Sequence, residues 1–227
     1  MEKGKTGKYF KYAIGEILLV VIGILIALSI NTWNENRKES VFEKEILLQI
    51  KTNLEQDRAA LVAFATNGNR AIASANKILA LPQGSEHDSL KYWLGDFMQF
   101  DRFQPLTSSY EVLKSKGLDL ISNKELRFQL GSYYDDRSAF INKAITDLEW
   151  AFINEWLPIT RKYVVDFKFK SYMELSDYDP FTSPSEARNS LIMNRDNWAG
   201  SVQYIEGGLE LIDSIISMIN TELGQDQ

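Results

Sequence analysis

The sequence predicts an all-α fold, an N-terminal transmembrane helix followed by an antiparallel bundle of long helices. Three observations predict it. Residues 13–30 form a run of 18 in which 14 are Ala, Val, Ile or Leu. Three later stretches repeat apolar residues at helical spacing. Turn signals containing Pro or Gly separate the periodic stretches. Composition agrees: of 227 residues 44% are hydrophobic and 25% charged, as in a folded chain rather than a disordered one.

The apolar run rises roughly 27 Å as a helix at 1.5 Å per residue, close to the thickness of a bilayer's hydrocarbon core. Tyr9 and Tyr12 before it and Trp33 after it suit the headgroup region, with Lys8 and Lys11 as basic interfacial anchors. The expected division is a basic tail over 1–12, a transmembrane helix over 13–33 and a helical domain over 34–227. A cleaved signal peptide is the competing reading, since Ala27-Leu28-Ser29 offers a small-x-small site. Glu16 inside the would-be apolar core and the helical continuation past Trp33 argue against cleavage. Lys3, Lys5, Lys8 and Lys11 precede the run, whereas the basic residues that follow it are diluted by glutamates. The tail is therefore expected inside and the acidic domain outside.

On a helix, Glu16, Val20, Gly23, Ala27, Asn31 and Asn34 fall along one stripe. Gly23-xxx-Ala27 is a small-xxx-small pair that lets two backbones approach, so this stripe is the expected helix–helix contact. Glu16 also has a plainer reading, as a carboxylate at headgroup depth beside Lys8, Lys11 and Tyr12.

Residues 42–81 read as one long helix on Leu47, Ile50, Leu54, Leu61, Phe64, Ala71, Ala75 and Ile78. Asp57 and Gly68 break the pattern, and Asn67-Gly68-Asn69 is the expected place for a kink or interruption. A short helix over 89–100 is built on Leu90, Trp93, Leu94 and Phe97. Ser108 with Glu111, and Ser122 with Glu125, read as capping boxes. The first opens a helix that stops at Gly117. The second opens a long helix rich in aromatics (Tyr133, Tyr134, Phe140, Trp150, Phe152, Trp156), read as core, with Pro158 as its kink or end. The segment 164–173 alternates over part of its length but lacks an evident partner strand, and is read as helix end or loop. The last helix repeats Trp198, Val202, Ile205, Leu209, Ile212, Ile216, Ile219 and Leu223 at intervals of 4 and 3, a bundle seam.

Chemistry is sparse. With no cysteine and one histidine, thiolate catalysis, disulfides and multi-histidine metal sites are excluded. The net charge of −6 argues against nucleic acid as a partner. His87 reads as an exposed loop residue. Asp135 and Asp136, with Glu125 and Asp147, read as a solvated helix face, and Gly207-Gly208 as a close-packing pair. No cofactor, metal site or catalytic residue is expected, and the chain is read as non-enzymatic.

The run KYFKYAIGEILLVVIGILIALSINTWNENRK resembles the opening of an uncharacterised bacterial membrane-protein family. Tyr110, Glu111, Val112, Leu113, Lys114, Ser115 and Gly117, with Leu120, Ile121 and the run Asn123, Lys124, Glu125, Leu126 and Arg127, are similar to it too. Ser29, where an amide residue is expected in that family, is a small departure. The resemblance implies location and topology but no reaction: a single-pass protein of the bacterial inner membrane, N-terminus in the cytoplasm, C-terminal domain in the periplasm. The expected partners are the lipid bilayer, further copies of the chain and an unidentified membrane protein. Two alternatives stand beside a structural or interaction role. One is a periplasmic sensor or ligand-binding module signalling through a membrane partner. The other is a proton-responsive subunit of an energised complex using Glu16.

Overall fold

The structure, a computed structural model, describes the backbone of residues 6–224 and the side chains of residues 14–224. Helices dominate the described residues, and the expected all-α class holds. Contacts within the chain divide it into two units, one up to Ile46 and one from Leu47 onward.

Helix α1 (Thr6–Leu79) contains both the apolar run and the first heptad stretch. In the first unit its apolar side chains from Ile14 to Ile30 are exposed. In the second unit Leu47, Ile50, Leu54, Leu61, Phe64, Ala71, Ala75 and Ile78 are all buried, as their spacing predicts. The expected interruption at 67–69 does not occur, and α1 runs through these residues as unbroken helix. Gly68 instead lets α8 (Glu186–Leu223) approach: a Cβ there would lie 2.6 Å from Val202 Cγ2.

Antiparallel packing within the second unit can be followed along α8. Arg58 pairs with Asp213, Phe64 packs on Trp198 at 5.6 Å between ring centroids, and Arg195 donates to Asn76. At the end of α1, Arg188 Nη2 donates to the Leu79 carbonyl (2.9 Å), satisfying an acceptor that the helix leaves open. A third long helical stretch runs antiparallel to α8. It comprises α4 (Lys124–Gly131), a π-helical segment (Ser132–Arg137), α5 (Ser138–Ala151), a second π segment (Phe152–Trp156) and α6 (Leu157–Thr160). Asn123 bonds Glu222 near one end, and Glu155 accepts from Asn194 toward the other. The α8 seam is buried at Trp198, Val202, Ile205, Ile212 and Ile219, but Leu209, Ile216 and Leu223 are only half-covered. Gly208 and Ile215 complete the seam, which is wider than a strict heptad because α8 faces two helices.

The caps correct the sequence reading. Thr107, not Ser108, precedes α3 (Ser108–Lys116), with no side-chain cap. Asn123, not Ser122, caps α4, its side chain accepting from the Glu125 and Leu126 amides. Helix α3 does stop at Gly117, whose φ of +119° suits glycine. Pro158 falls where the second π segment passes directly into α6, and the helical stretch ends soon after it at Thr160, in keeping with its reading as the helix's kink or end.

A second correction concerns the stretch read as helix end or loop. β1 (Val164–Lys168) and β2 (Tyr172–Leu175) form an antiparallel hairpin with an irregularity between Val164 and Asp166. Met173 and Leu175 are buried, and the backbone of Tyr172 lies against Gly95 of α2 (Leu90–Phe97). Asp166 guards the hairpin, accepting from the Phe167 amide (2.9 Å) and the Tyr172 hydroxyl (2.5 Å).

Candidate functional site

The sequence-predicted site residues lie on one helix. At 100° per residue Glu16, Gly23, Ala27, Asn31 and Asn34 stay on one side of α1. The first four are exposed and Asn34 is half-buried. A Cβ added at Gly23 meets nothing within 4 Å, so the surface of a close contact is open. Ser29 satisfies its hydroxyl on the Leu25 carbonyl (2.8 Å), the usual arrangement for a hydroxyl on an apolar helix. Trp33 is exposed with the Arg37 guanidinium 6.0 Å from its ring centroid, an amphipathic pair suited to an interface. Lys8, Tyr9, Lys11 and Tyr12 belong to α1, but their side chains lie outside the described residues.

A second site, in the folded unit, was visible in the sequence only as an irregularity. Asp57 interrupts the apolar seam of α1 and is 2% exposed. Its carboxylate accepts the Tyr133 hydroxyl (2.9 Å) and the Leu106 amide, at 3.1 and 3.3 Å to its two oxygens. Asn53, one turn earlier, donates to the Leu106 carbonyl and to Ser109 Oγ, so two residues of α1 hold the segment that enters α3. Burial pushes the Asp57 carboxyl above its ordinary pKa against the opposing pull of Tyr133 and Leu106.

The π segment at Ser132–Arg137 places consecutive Tyr133 and Tyr134 in the interior. Such widened turns recur where a helix must present neighbouring side chains to one site. Tyr134 stacks on Tyr110 (4.6 Å between centroids, 12° between planes), and burial raises the pKa of all three phenols. Beyond them Asp135 accepts from Tyr110 and Lys114, both at 2.7 Å. Partial desolvation opposes its ionisation, but these two donors together hold its carboxyl below the ordinary range. Asp135 is therefore part of a network rather than simply a solvated face. Both Asp57 oxygens are already engaged by the chain's own donors. The arrangement acts as a polar clamp joining α1, the loop before α3 and the π segment.

The remaining candidates resolve individually. His87 is exposed, as expected, with Nδ1 accepting from the Ser89 amide (3.1 Å) and its ring stacked on Trp93 at 4.7 Å. It lines an open cleft of about 590 Å³ with Lys91, Tyr92, Asp177 and Asp179. Among the described residues no group of three or more His, Asp or Glu side chains is placed to hold a metal ion. Of the aromatics read as core, Tyr133, Tyr134, Phe152 and Trp156 are buried, but Phe140 and Trp150 face outward. The helical spacing separates them: within α5 the buried stripe is Ile141, Ile145 and Leu148, and Phe140 and Trp150 lie off it.

Fold and site together define a class: a helical domain continuous with a helix long and apolar enough to cross a membrane. The family described as Family of unknown function (DUF6090) has a model that matches residues 16–78, in agreement with the resemblance to an uncharacterised family. The match contains Glu16, Gly23, Ala27, Asn31, Asn34 and Asp57, and ends before the residue 110–127 segment. No curated protein and no solved structure matches the chain.

Proposed function

We propose that the chain is a non-enzymatic, membrane-anchored interaction protein. The segment of α1 over 13–33 crosses the bacterial inner membrane with the tail in the cytoplasm, and the helical domain stands in the periplasm. The observation that carries this reading is the exposure of every large apolar side chain between Ile14 and Ile30. The chain does not cover them, so another apolar medium must. Each is worth about 1.5–3 kcal/mol when removed from water, far more in sum than the cost of about 3 kcal/mol for a carboxylate such as Glu16 within the bilayer.

The anchor also self-associates along Glu16, Gly23, Ala27, Asn31 and Asn34. In lipid there is little hydrophobic drive between helices, so close backbone approach at Gly23 and Ala27 and polar bonds from the asparagines supply the attraction. Gly23→Leu should reduce the crosslinked oligomer of the full chain in mild detergent, while Ile24→Leu, off the stripe, should leave it unchanged. Equal oligomer fractions for wild type and Gly23→Leu would leave the helix a plain tether.

A further inference from the structure

Helices α5 and α8 meet closely: a Cβ on Gly208 would lie 2.4 Å from Ile141 Cδ1, and Ser201 Oγ donates to the Ala144 carbonyl. Outside this seam runs a groove of three adjoining hollows of about 450, 470 and 420 Å³, all of them lined in part by Tyr204. On α8 it extends from Asp196 to Leu211, roughly 22 Å at 1.5 Å per residue, or about four turns of a second helix. Phe140, Trp150 and Tyr204 stand along it with exposures of 62%, 57% and 50%, a concentration of large apolar surface that the fold leaves uncovered.

The floor of the groove is unusual in the same place. Gly200 and Gly207 lie inside α8, where each costs about 1 kcal/mol relative to alanine. Gly68 and Gly208 are required by neighbouring helices, whereas a Cβ on Gly200 would meet nothing, and one on Gly207 only Arg137 Nη1 at 3.7 Å. Their effect is to keep the floor low for something approaching from outside. The lining and rim are acidic: Asp136, Asp147, Glu155, Asp196, Glu206 and Glu210, against Arg137. Lys143 partly offsets Asp147, at 2.7 Å. A second copy docking by this same face would oppose carboxylate to carboxylate, which disfavours it.

We infer that the α5–α8 groove docks an amphipathic cationic helix of another protein. Its apolar face would lie over Gly200 and Gly207 between Phe140, Trp150 and Tyr204, and its flanking lysines or arginines would meet the acidic rim. The inference rests on reading the domain as an interaction module but not on the anchor.

The test uses the full chain in zwitterionic nanodiscs and a dye-labelled 15-residue helical peptide of leucine and lysine, followed by fluorescence anisotropy. The peptide should bind loaded discs above empty ones, more weakly as salt rises. Gly200→Leu, which fills the floor, and Trp150→Ala should each weaken binding at least tenfold. Gly200→Leu projects into open space and replaces a helix-interior glycine, so its melting temperature should equal or exceed that of wild type. The inference is overturned by no binding above empty discs, by equal affinity for wild type and Gly200→Leu, or by equal binding of a leucine–glutamate peptide. A chain that fails to enter discs refutes the anchor alone, and the same titration then decides the groove in solution.

Discussion

Replacing Asp57 by alanine strands two donors in the core of the bundle, the Tyr133 hydroxyl (2.9 Å) and the Leu106 amide (3.1 Å). A buried donor left without a partner costs about 1–3 kcal/mol, so the pair amounts to about 2–6 kcal/mol. Removing the carboxylate also relieves its own desolvation, which recovers part of that and leaves a net loss of about 2–4 kcal/mol. An asparagine side chain keeps one acceptor oxygen but replaces the other by a buried amide nitrogen that faces donors only, so Asp57→Asn should lose about 1–3 kcal/mol, less than Asp57→Ala. Tyr133→Phe leaves the Leu106 amide paired and should lose about 1.5–3 kcal/mol, the value of one hydrogen bond to a charged group. Urea unfolding of the full chain in mild detergent, followed by circular dichroism, measures all three. The double variant Asp57→Ala/Tyr133→Phe should be less destabilised than the sum of the singles, because one bond is counted in both. If Asp57→Ala unfolds within about 0.5 kcal/mol of wild type, as a surface substitution does, the clamp is not holding the bundle.

Gly95→Ala should destabilise by about 1–3 kcal/mol, since its Cβ would sit 2.5 Å from the Tyr172 Cα and backbone yields less readily than a side chain. The urea midpoint measures the loss, and limited proteolysis of the variant should show new cleavage in the hairpin. The folded chain binds the Asp57 proton more tightly than the unfolded chain does. Its contribution is thus fully present below the ordinary value of 3.8 and is lost as pH rises through the higher folded pKa. Asp135 has the opposite sign, its contribution present above 3.8 and lost as pH falls through its lowered value. Asp57→Asn should therefore make stability rise more steeply, or fall less, with pH just above 4, as measured by urea midpoints at a series of pH values.

How much was legible from sequence depends on whether one segment carried its own signal. The buried stripes of α1 and α8 were readable because a helix repeats its core contacts every three or four residues, and Ile50, Leu54, Ile205 and Ile212 follow that repeat. The hairpin was not, because its turn has Lys170 at φ 61° where a glycine or asparagine would have announced it. Its partner strand carries only two buried residues, Met173 and Leu175. The break at Asn67-Gly68-Asn69 was misread since glycine marks both flexibility and close approach, and only the position of Val202 decides between them. The Asp57 clamp left one trace, a charge on an apolar seam. Its partners Tyr133 and Leu106 are 76 and 49 residues away, beyond any local pattern. The outward turn of Phe140 and Trp150 was legible: both lie in the regular helix α5, off the stripe of Ile141, Ile145 and Leu148 that is buried, and counting every large aromatic as core overrode that spacing.

The claim on which the account depends is that the apolar segment of α1 crosses a bilayer and leaves the helical domain on the far side from the tail. The chain contains no cysteine, so a single introduced thiol reports its own location. In cells with a permeabilised outer membrane, an impermeant maleimide should label exposed Ser217→Cys before lysis, and Thr6→Cys only after it. Protection of Ser217→Cys until lysis, with Thr6→Cys labelled in intact cells, would contradict the orientation. Release of the unlabelled chain from membranes by alkaline carbonate would contradict the anchor itself.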